Sequence, residues 1–560
     1  MPHPLSTVVR SAVCCFLFLA AFGRPLWAAD GATAPPPAES APREENAPAS
    51  PPEQPQSAEQ DQTFEITAFK LEGTTLFPVQ RLLDLLDDLV GTGRTAADVE
   101  KARDILEKHY HEEGYPTVLV NIPEQSVENG VIRLQVIESK VSVTRVTGNR
   151  HFSTELILDK LPSIAPGAIL YAPNVQKEIN KVNRNPDLKV IPSMAPGKEL
   201  GTVDVELKAE DRLPFHGSLE FNNRNSHDTT PLRLNLSAHY DNLWGKEHSF
   251  SLQYQASPQK LKEVEVVSGS YMLPAPWDKD TSLIVYSVYS NSNTTFGDAF
   301  NTIGKGDIVG GRYVIPFPPY EAYNHSAVLG FDYKHFRENT GQTGVPEGTT
   351  SSPVEYLPLS LAYSGSLPDS TGITLFNAAF NMAFRGMVVR QQNFEEKRFK
   401  ARGNYFYTTL GVERRQKLPG GAALGVKLDG QIADQPLISN EQYAAGGMDS
   451  VRGYKESELM GDNTFHGILE LSAPDLAPLF GLRERFLLTP YTFYDFAALF
   501  VKDPLPGQED AMNLQGTGVG IRGYLFRDVE FQLDWAFALS DTAKTKTGDN
   551  QLYFKVKYQF

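Results

Sequence analysis

Cysteine is almost missing from this sequence. Two of the 560 residues are cysteines, and both, Cys14 and Cys15, lie close to the N-terminus. A chain this poor in cysteine does not rely on a disulfide framework, on thiolate metal ligands or on a cysteine nucleophile. Its stability has to come from packing and from backbone hydrogen bonds.

The N-terminal segment has the pattern of a secretory signal peptide. Arg10 precedes an apolar stretch over residues 12–22, and the small residues Ala28 and Ala29 follow it. The apolar stretch is too short for a transmembrane helix, which needs about 20 residues. We predict a signal peptide over residues 1–29, and the mature chain then contains no cysteine.

Basic residues are outnumbered, and long apolar runs are missing after residue 22. Lys and Arg number 52 against 68 Asp and Glu, which gives a formal net charge of −16. Binding of nucleic acid needs a basic surface, so we expect no nucleic-acid partner. The lack of apolar runs argues against helical membrane spans. It leaves a transmembrane β-barrel open, because only every second barrel residue faces lipid.

Signatures of enzymes and cofactor sites are also missing. We find no nucleophile elbow, P-loop or H-E-x-x-H motif. Residues 518–523 fit G-x-G-x-x-G, but they lead into a further strand where a dinucleotide site needs a helix. His109 and His111 lie two residues apart on a predicted helix and point to different faces. We predict that the chain is not an enzyme and that it binds no metal and no cofactor.

Proline and small polar residues dominate residues 30–62. Such a composition favours extended backbone and does not form a packed core. We therefore predict a Pro-rich disordered linker here, and we expect no plug helix within it.

Residues 63–211 show mixed α/β patterning that occurs twice. The first half reads as a strand, two segments with helical spacing, and two more strands. Thr95 and Asp98 give a T-x-x-D start signal for the second helix. The same β-α-α-β-β order then repeats, which suggests a duplicated module. We predict two related domains, residues 63–138 and 139–211.

A period of two replaces the helical period from residue 212 to the C-terminus. The last strand is the clearest, with apolar residues at every second position: Leu552, Phe554, Val556, Tyr558 and Phe560. The opposite faces of such strands carry charges that a water-filled lumen accommodates. A closed barrel satisfies every backbone group in lipid, whereas an open edge strand ending on an aromatic residue invites aggregation. At about 22 residues per strand and connection, we predict a transmembrane antiparallel β-barrel of roughly 16 strands over residues 212–560.

One segment of this barrel carries a specific family resemblance. A Gly446-Gly447 pair is followed by the motif residues Val451, Arg452, Gly453 and Tyr454. This segment resembles the VRGY motif of two-partner-secretion outer-membrane transporters, the haemolysin secretion/activation protein family. In that family the motif lies on a loop that folds back into the barrel lumen. The resemblance implies a lumen-inserted loop around residues 446–460.

The same family places an F-x-D-x-G motif on the inner barrel wall, and its Asp pairs with the Arg of VRGY. Phe493 and Asp495 match that motif here, while Ala497 stands where the family has Gly. The resemblance thus implies an Arg452–Asp495 pair. A lone charge in a confined lumen is costly, a pair is stabilised, and the planar fork of Arg suits a carboxylate.

The N-terminal modules are also similar to those of the family. Residues 114–117, together with the segments 122–125 and 129–134, resemble the first polypeptide-transport-associated (POTRA) domain. Residues 148–153, Gly-Asn-Arg-His-Phe-Ser, resemble the opening of the second. The resemblance implies two periplasmic POTRA domains before a barrel in the bacterial outer membrane.

These resemblances imply that the chain is a pore for protein export. Its POTRA domains would recognise an unfolded secreted partner, an adhesin, haemolysin or contact-dependent toxin, and the barrel would translocate it without ATP. Outer-membrane lipid and the barrel-assembly machinery are further expected partners. The barrel's C-terminal signature for that machinery comprises Phe554, Val556, Tyr558 and Phe560. Two alternatives stay open, an insertion factor for other barrel proteins and a passive porin or adhesin.

Overall fold

The computed structural model describes residues 63–560, except for 128, 228, 293, 297–299, 338–352, 385, 387–389 and 483–484. The predicted signal peptide and the predicted Pro-rich linker lie outside the described residues. Two compact units make up the described chain, and the boundary between them falls between Pro214 and Phe215. Within the described ranges, no helix combines the length and apolarity needed to cross a membrane.

The N-terminal unit consists of short strands and helices. Its strands are β1 (Phe64–Ile66), β2 (Ala68–Glu72), β3 (Gly91–Arg94), β4 (Val118–Asn121), β5 (Val131–Glu138), β6 (Lys140–Thr147), β7 (Leu188–Pro196) and β8 (Thr202–Asp211). Its α-helices are α1 (Val79–Leu83), α2 (Ala96–Glu112), α3 (Thr154–Asp159) and α4 (Ala172–Val182). Short 3₁₀ turns cover Asp84–Leu89 and Pro162–Ile164.

This unit contains the same sheet twice. The first sheet has the order β2-β5-β4, and the second has the order β6-β8-β7. In each sheet the first strand runs parallel to the central strand and the last strand runs antiparallel to it. One helix covers each sheet with an apolar stripe: α2 buries Leu106 and Tyr110, and α4 buries Val175 and Ile179. The β-α-α-β-β order read from the sequence therefore occurs twice.

The alternation of residues 64–69 predicts a single strand, and this prediction is wrong in one respect, because the strand breaks at Thr67. The backbone amide of Thr67 donates to the carbonyl of Gly130 at 2.8 Å, and its hydroxyl donates to the carbonyl of Asn129 at 2.7 Å. These bonds turn the chain, so that β1 pairs with β3 and β2 pairs with β5. At the start of α2, by contrast, Thr95 and Asp98 form the predicted capping box.

The C-terminal unit is built almost entirely of strands. They are β9 (Phe215–Asn222), β10 (Arg233–Leu243), β11 (His248–Ala256), β12 (Glu265–Ala275), β13 (Asp278–Ser290), β14 (Thr294–Phe296), β15 (Phe300–Ile303), β16 (Gly306–Pro316), β17 (Asn324–Phe336), β18 (Val354–Tyr356), β19 (Leu359–Asp369), β20 (Gly372–Ala383), β21 (Tyr405–Lys417), β22 (Ala423–Ala433), β23 (Tyr443–Ala445), β24 (Leu459–Gly461), β25 (Asn463–Ser472), β26 (Phe486–Phe500), β27 (Ala511–Leu525), β28 (Val529–Ala538) and β29 (Asn550–Gln559). A short helix, α5 (Gln391–Lys397), precedes β21, and 3₁₀ turns cover Pro419–Gly421 and Ala477–Phe480.

These strands close into one antiparallel barrel. Over the described residues its wall has 16 strands, which confirms the predicted architecture. β18 and β19 count as one interrupted wall strand because both pair with β17. β29 pairs with β9 from Lys555↔Asn222 to Gln559↔Ser218 and completes the circle. β14–β15 and β23–β24 form small hairpins within connections.

The wall alternates between an apolar outer face and a polar inner face. Leu533 and Trp535 on β28 are exposed, while Asp534 between them is buried. This is the pattern of a barrel with lipid outside and a polar lumen. Connections are short at one end, such as residues 370–371, and long at the other, such as residues 434–462. Outer-membrane barrels have short periplasmic turns and long extracellular loops, which orients this one.

Candidate functional site

The long connection between β22 and β25, residues 434–462, folds back into the barrel. Its residues Val451, Arg452 and Tyr454 are at most 3% exposed, although the segment has little regular structure. Their contacts are with inward-facing side chains and backbone of β25 to β29 and of the connection between β28 and β29. The structure thus places the VRGY segment in the lumen, against the inner face of the barrel wall. We call residues 434–462 the lumen loop.

Arg452 makes a bidentate ion pair with Asp495 on β26. Its Nε donates to Oδ2 at 2.7 Å and its Nη2 donates to Oδ1 at 2.8 Å. The backbone amide of Arg452 also donates to Oδ2, at 3.1 Å. Both side chains are almost fully buried. Asp495 therefore fixes the backbone of the lumen loop as well as the side chain at its centre.

Other groups on the wall surround the same guanidinium. Nη1 of Arg452 lies 3.6 Å from a carboxylate oxygen of Glu470 and 3.7 Å from one of Asp534. The ring of Phe493 stacks on the guanidinium, with Cζ 3.4 Å from the ring centroid. The guanidinium of arginine keeps its proton in proteins. Arg452 therefore stays charged at any physiological pH.

The two residues after Arg452 attach the loop to β27, to β29 and to the connection between β28 and β29. Gly453 donates its amide to the hydroxyl of Tyr553 on β29 at 3.0 Å. Its φ is +104°, and a Cβ there would lie 2.7 Å from the carbonyl carbon of Phe537, so glycine is required. The hydroxyl of Tyr454 lies 2.9 Å from the carbonyl of Gln515 and 2.8 Å from that of Ser540.

The departure from the family motif at Ala497 has a structural explanation. Ala497 is buried and packs in the apolar cluster that contains Val451 and Leu514. The close backbone approach occurs on the neighbouring strand instead, at Gly516, which is the partner of Asp495 in the sheet. A Cβ on Gly516 would lie 1.8 Å from the carbonyl oxygen of Arg452. The loop therefore tolerates a methyl group at Ala497 and excludes one at Gly516.

Gly516 is the first of three glycines on the inner face of β27. A Cβ on Gly518 would lie 2.7 Å from the Phe493 ring, and one on Gly520 would lie 2.5 Å from the Tyr491 ring. These glycines leave room for the Phe493 ring, which stacks on Arg452, and for the Tyr491 ring. The Tyr491 ring stacks on Arg522, and its hydroxyl donates to Asp534. The G-x-G-x-x-G pattern at residues 518–523 is thus part of a barrel strand, as expected from the sequence.

Two family models match this chain. The POTRA domain of the ShlB type matches residues 64–139. The haemolysin secretion/activation protein ShlB/FhaC/HecB matches residues 201–310 and 355–523, which include Arg452 and Asp495. The chain belongs to the haemolysin secretion/activation family. It is a two-partner-secretion transporter with a barrel in the bacterial outer membrane, as the sequence predicted.

Individual relatives of this transporter are distant. It is 24% identical over 359 residues to the outer membrane transporter CdiB of Dickeya dadantii, a match that spans 63% of this chain and 62% of that protein. It is 19% identical over 456 residues to the heme/hemopexin transporter protein HuxB of Haemophilus influenzae, across 79% and 77% of the two chains.

Solved structures of related proteins share the fold. CdiB from Escherichia coli superimposes with a TM-score of 0.61 at 17% identity, over 91% of this chain and 93% of that one. BamA from Haemophilus ducreyi lacking POTRA domains 1–3 superimposes with a TM-score of 0.55 at 16% identity, over 89% and 100%. These likenesses support the architecture of POTRA modules and a 16-strand barrel.

The lumen loop of the transporter has a second group of anchors near its later part. Arg224, in the connection from β9 to β10, lies 2.6 Å from a carboxylate oxygen of Asp449 and 3.1 Å from one of Glu456. Glu458 pairs with His227 of the same connection. It also accepts hydrogen bonds from two threonines of the connection between β28 and β29. Neighbouring connections therefore hold the lumen loop from the extracellular side.

Both ends of the lumen loop are fixed by residues that the sequence motifs did not reveal. Asp462 pairs with Arg398, which follows α5, and accepts the backbone amides of Leu437 and Lys502. Glu441 accepts from Lys334 at 2.7 Å. Their partners come from connections and strands that are distant in the sequence. No short sequence motif therefore contains both members of a pair.

An apolar cluster accompanies these polar anchors at the extracellular end of the lumen. Phe394 of α5 and the loop residues Leu437 and Ile438 are fully buried there. They pack with inward-facing wall residues that include Tyr286 and Tyr356. The connection that carries α5 and the lumen loop thus share one core inside the barrel.

The predicted C-terminal signature lies elsewhere, on the outer face of β29. Val556, Tyr558 and Phe560 are exposed there, and Phe554 packs beside Phe221 of β9 at a ring distance of 5.6 Å. The structure thus brings the VRGY and F-x-D residues together and leaves the C-terminal signature on the lipid side of the seam between β29 and β9.

Proposed function

We propose that this transporter exports one secreted partner protein across the outer membrane. Its periplasmic modules bind the unfolded partner, and the partner then passes through the barrel lumen to the cell surface or the exterior. The observation that supports this most strongly is the lumen loop, held by Arg452 against Asp495 within the barrel. A passive pore has no need for a loop anchored in its lumen, whereas a protein-sized conduit has to be closed between export events.

The inner face of β9 to β12 offers a polar path for an extended chain. Small or uncharged polar side chains dominate this face: Ser218, Asn235, Ser237, Ser249, Ser251, Gln253, Gln255, Ser268 and Ser270. Such a surface gives an unfolded polypeptide few apolar groups to adhere to. The VRGY anchors lie on other strands, β25 to β29. We propose that cargo follows the β9–β12 side while the loop moves away from it.

Recognition of the partner is proposed to use a free sheet edge of the modules at residues 63–138 and 139–211. β4 lies at one edge of the first sheet, but its Val120 amide already donates to Glu107 at 2.9 Å, and the Val118 carbonyl lies 3.1 Å from a ring nitrogen of His111. β7 lies at the edge of the second sheet, where Pro192 removes a backbone donor. An extended segment adds to an open edge by main-chain hydrogen bonds. We therefore favour β2, the other edge strand of the first sheet, as the docking strand.

We propose that export needs no ATP and that folding of the partner outside the cell supplies the driving force. The chain then has no catalytic role.

The C-terminal residues Phe554, Val556, Tyr558 and Phe560 serve as the recognition signal for the barrel-assembly machinery. Lipid covers the apolar outer face that surrounds them. The exported partner belongs to the adhesin, haemolysin or contact-dependent toxin type.

Disruption of the gene in its native bacterium tests the proposal. We expect one surface or secreted protein to disappear while other outer-membrane proteins keep their levels. Complementation with the wild-type gene should restore that protein, and a variant lacking residues 63–211 should not. Full secretion by the variant lacking these residues would contradict the proposal and favour a passive porin or adhesin.

An insertion factor for other barrels is the second candidate, since the fold also resembles BamA. This candidate predicts a general loss of outer-membrane proteins after gene disruption, together with sensitivity to detergents and bile salts. The same experiment therefore separates the two functions. A broad defect would assign the chain to barrel assembly, and a single lost protein would assign it to secretion.

A further inference from the structure

Two histidines and one aspartate form a cluster on the inner face of β9 and β10. His216 and His239 are direct partners across these antiparallel strands, and Asp241 follows two positions later on the same face. One ligand atom of each residue lies within 4.8 Å of the other two. Nε2 of His239 is 3.3 Å from Oδ2 of Asp241, and the two imidazole centroids are 5.0 Å apart.

We propose that His216, His239 and Asp241 bind a divalent transition-metal ion, such as Zn²⁺, Ni²⁺ or Cu²⁺. Two imidazole nitrogens and one carboxylate oxygen form a ligand set that suits these ions, and water fills the remaining positions. Metal–ligand bonds of about 2.0–2.2 Å place two ligand atoms roughly 3 Å apart. The three ligand atoms already lie within 4.8 Å of one another, so we expect side-chain rotation to close the remaining distance.

The backbone holds this arrangement in register. Directly paired residues and residues two positions apart on one strand all point to the same side of an antiparallel sheet. The hydroxyl of Ser249 on β11 donates to Oδ1 of Asp241 at 2.5 Å. That bond orients the carboxylate and leaves Oδ2 facing His239. Ligands with such supporting hydrogen bonds bind metals more tightly than unsupported ones.

The cluster lies in the lumen, at the end of the barrel with short connections. Outward-facing Leu219 and Phe221 on β9 are exposed to the lipid side, which places His216 on the opposite, inner face. All three side chains are half-buried, and we expect ions to reach them through the lumen. A bound ion would join β9 to β10 beside the seam between β29 and β9. Both cysteines lie before residue 16, so no thiolate in the described chain competes for the ion.

Metal titration of the full chain in detergent tests this site. The protein is prepared without a polyhistidine tag, treated with chelator and titrated with Co²⁺, whose visible absorption reports nitrogen and oxygen ligands. We expect saturable uptake of one equivalent, displaced by Zn²⁺. His216→Ala and His239→Ala should each weaken Co²⁺ affinity at least tenfold, and Asp241→Asn should weaken it less.

His335→Ala provides the matched control. His335 lies on β17 with Nε2 3.8 Å from a carboxylate oxygen of Glu355, a single histidine–carboxylate pair elsewhere on the barrel. Its removal should leave Co²⁺ affinity unchanged. Equal affinities for wild type and His239→Ala, or loss of affinity in His335→Ala alone, would overturn the proposal.

A measurement on the wild-type protein alone covers the case in which a variant does not fold. A ligand that binds the native state raises the unfolding temperature. We expect Zn²⁺ to raise the unfolding temperature of the wild-type barrel, whereas Mg²⁺, which prefers oxygen ligands, should not. An unchanged unfolding temperature at saturating Zn²⁺ would contradict the site.

Discussion

Asp495 receives three hydrogen bonds from Arg452: two from the guanidinium and one from the backbone amide, at 2.7, 2.8 and 3.1 Å. A wall residue thus holds both the charge and the backbone of the lumen loop. Two further carboxylates lie within 4 Å of the same guanidinium. Arg452 is therefore the positive centre of an acidic patch on the inner wall.

Loss of Arg452 should be more damaging than loss of Asp495. Arg452→Ala leaves Asp495, Asp534 and Glu470 close together without their shared cation, whereas Asp495→Ala leaves two carboxylates to balance Arg452. Breaking a buried pair by removing one partner costs about 3–5 kcal/mol. We expect Arg452→Ala to reduce secretion of the partner more strongly, measured in culture supernatant at equal barrel levels.

The double variant Arg452→Ala/Asp495→Ala supplies the control for this prediction. It removes one of the unbalanced carboxylates, so its barrel should resist heat unfolding better than Arg452→Ala alone. A double variant less stable than both single variants would show that the acidic patch does not govern the effect.

A methyl group on Gly516 should dislodge the lumen loop. Its Cβ would lie 1.8 Å from the carbonyl oxygen of Arg452, and a backbone atom cannot move aside as a side chain does. Gly425→Ala is a matched control, because Gly425 is also a barrel-strand glycine and its nearest atom would be 3.8 Å away. We expect larger single-channel conductance for Gly516→Ala and wild-type conductance for Gly425→Ala. Equal conductance of the two variants would refute this account of the close contact.

Removal of one hydroxyl group from Tyr454 should loosen the loop without unfolding the barrel. Tyr454→Phe removes the acceptor of the Ser540 amide and the hydroxyl that faces the Ser540 carbonyl, and buried groups left without a partner cost about 1–3 kcal/mol. We expect more frequent opening events in planar-bilayer recordings. Tyr494→Phe removes a hydroxyl from the outer face beside the Gln515 side chain and should leave the opening frequency unchanged.

Asp211 should make the second module sensitive to acid. Burial raises the pKa of Asp211, but the backbone amides of Arg150, His151 and Phe152 donate to its carboxylate and lower that pKa overall. The stabilisation is complete above the unfolded-state pKa of about 3.9 and disappears as the pH falls through the lower, folded-state pKa. We expect Asp211→Asn to remove this acid dependence.

Hydrogen–deuterium exchange of the full chain measures this effect. At neutral pH, the amides of residues 150–152 should exchange faster in Asp211→Asn than in wild type, since each loses a bond to a charged acceptor worth about 1.5–3 kcal/mol. Exchange in the first module, near Asp98, serves as the internal reference and should not change. Equal protection of residues 150–152 in both proteins would contradict the role given to Asp211.

The periodic features of the fold were predictable from the sequence, and the contacts between connections were not. The strand period of two in residues 212–560 predicts the barrel, because each inner or outer position is set locally. The length of this region, at about 22 residues per strand and connection, predicts roughly 16 strands. The VRGY segment directed attention to Arg452 and Asp495 through a family resemblance. Arg398 and Asp462 are 64 residues apart. Their meeting depends on the closed barrel, which no local pattern encodes.

Two single-residue cases, Ala497 and Thr67, show the same contrast between what a local pattern predicts and what long-range contacts decide. Ala497 differs from the family motif, and the sequence alone does not say where the lost close approach is replaced. The answer, Gly516, lies on the adjacent strand and follows from strand register. The break at Thr67 likewise depends on a turn more than 60 residues later.

Planar-bilayer conductance of the purified full chain, with wild type beside Asp495→Arg, tests the central claim most directly. The account predicts a small, steady conductance for wild type, because the lumen loop fills the pore. In Asp495→Arg, two positive charges face each other, the loop leaves its site, and the conductance or its flicker increases. Identical traces from both proteins, each shown to be folded, would contradict the claim that Arg452 and Asp495 hold the loop in the lumen.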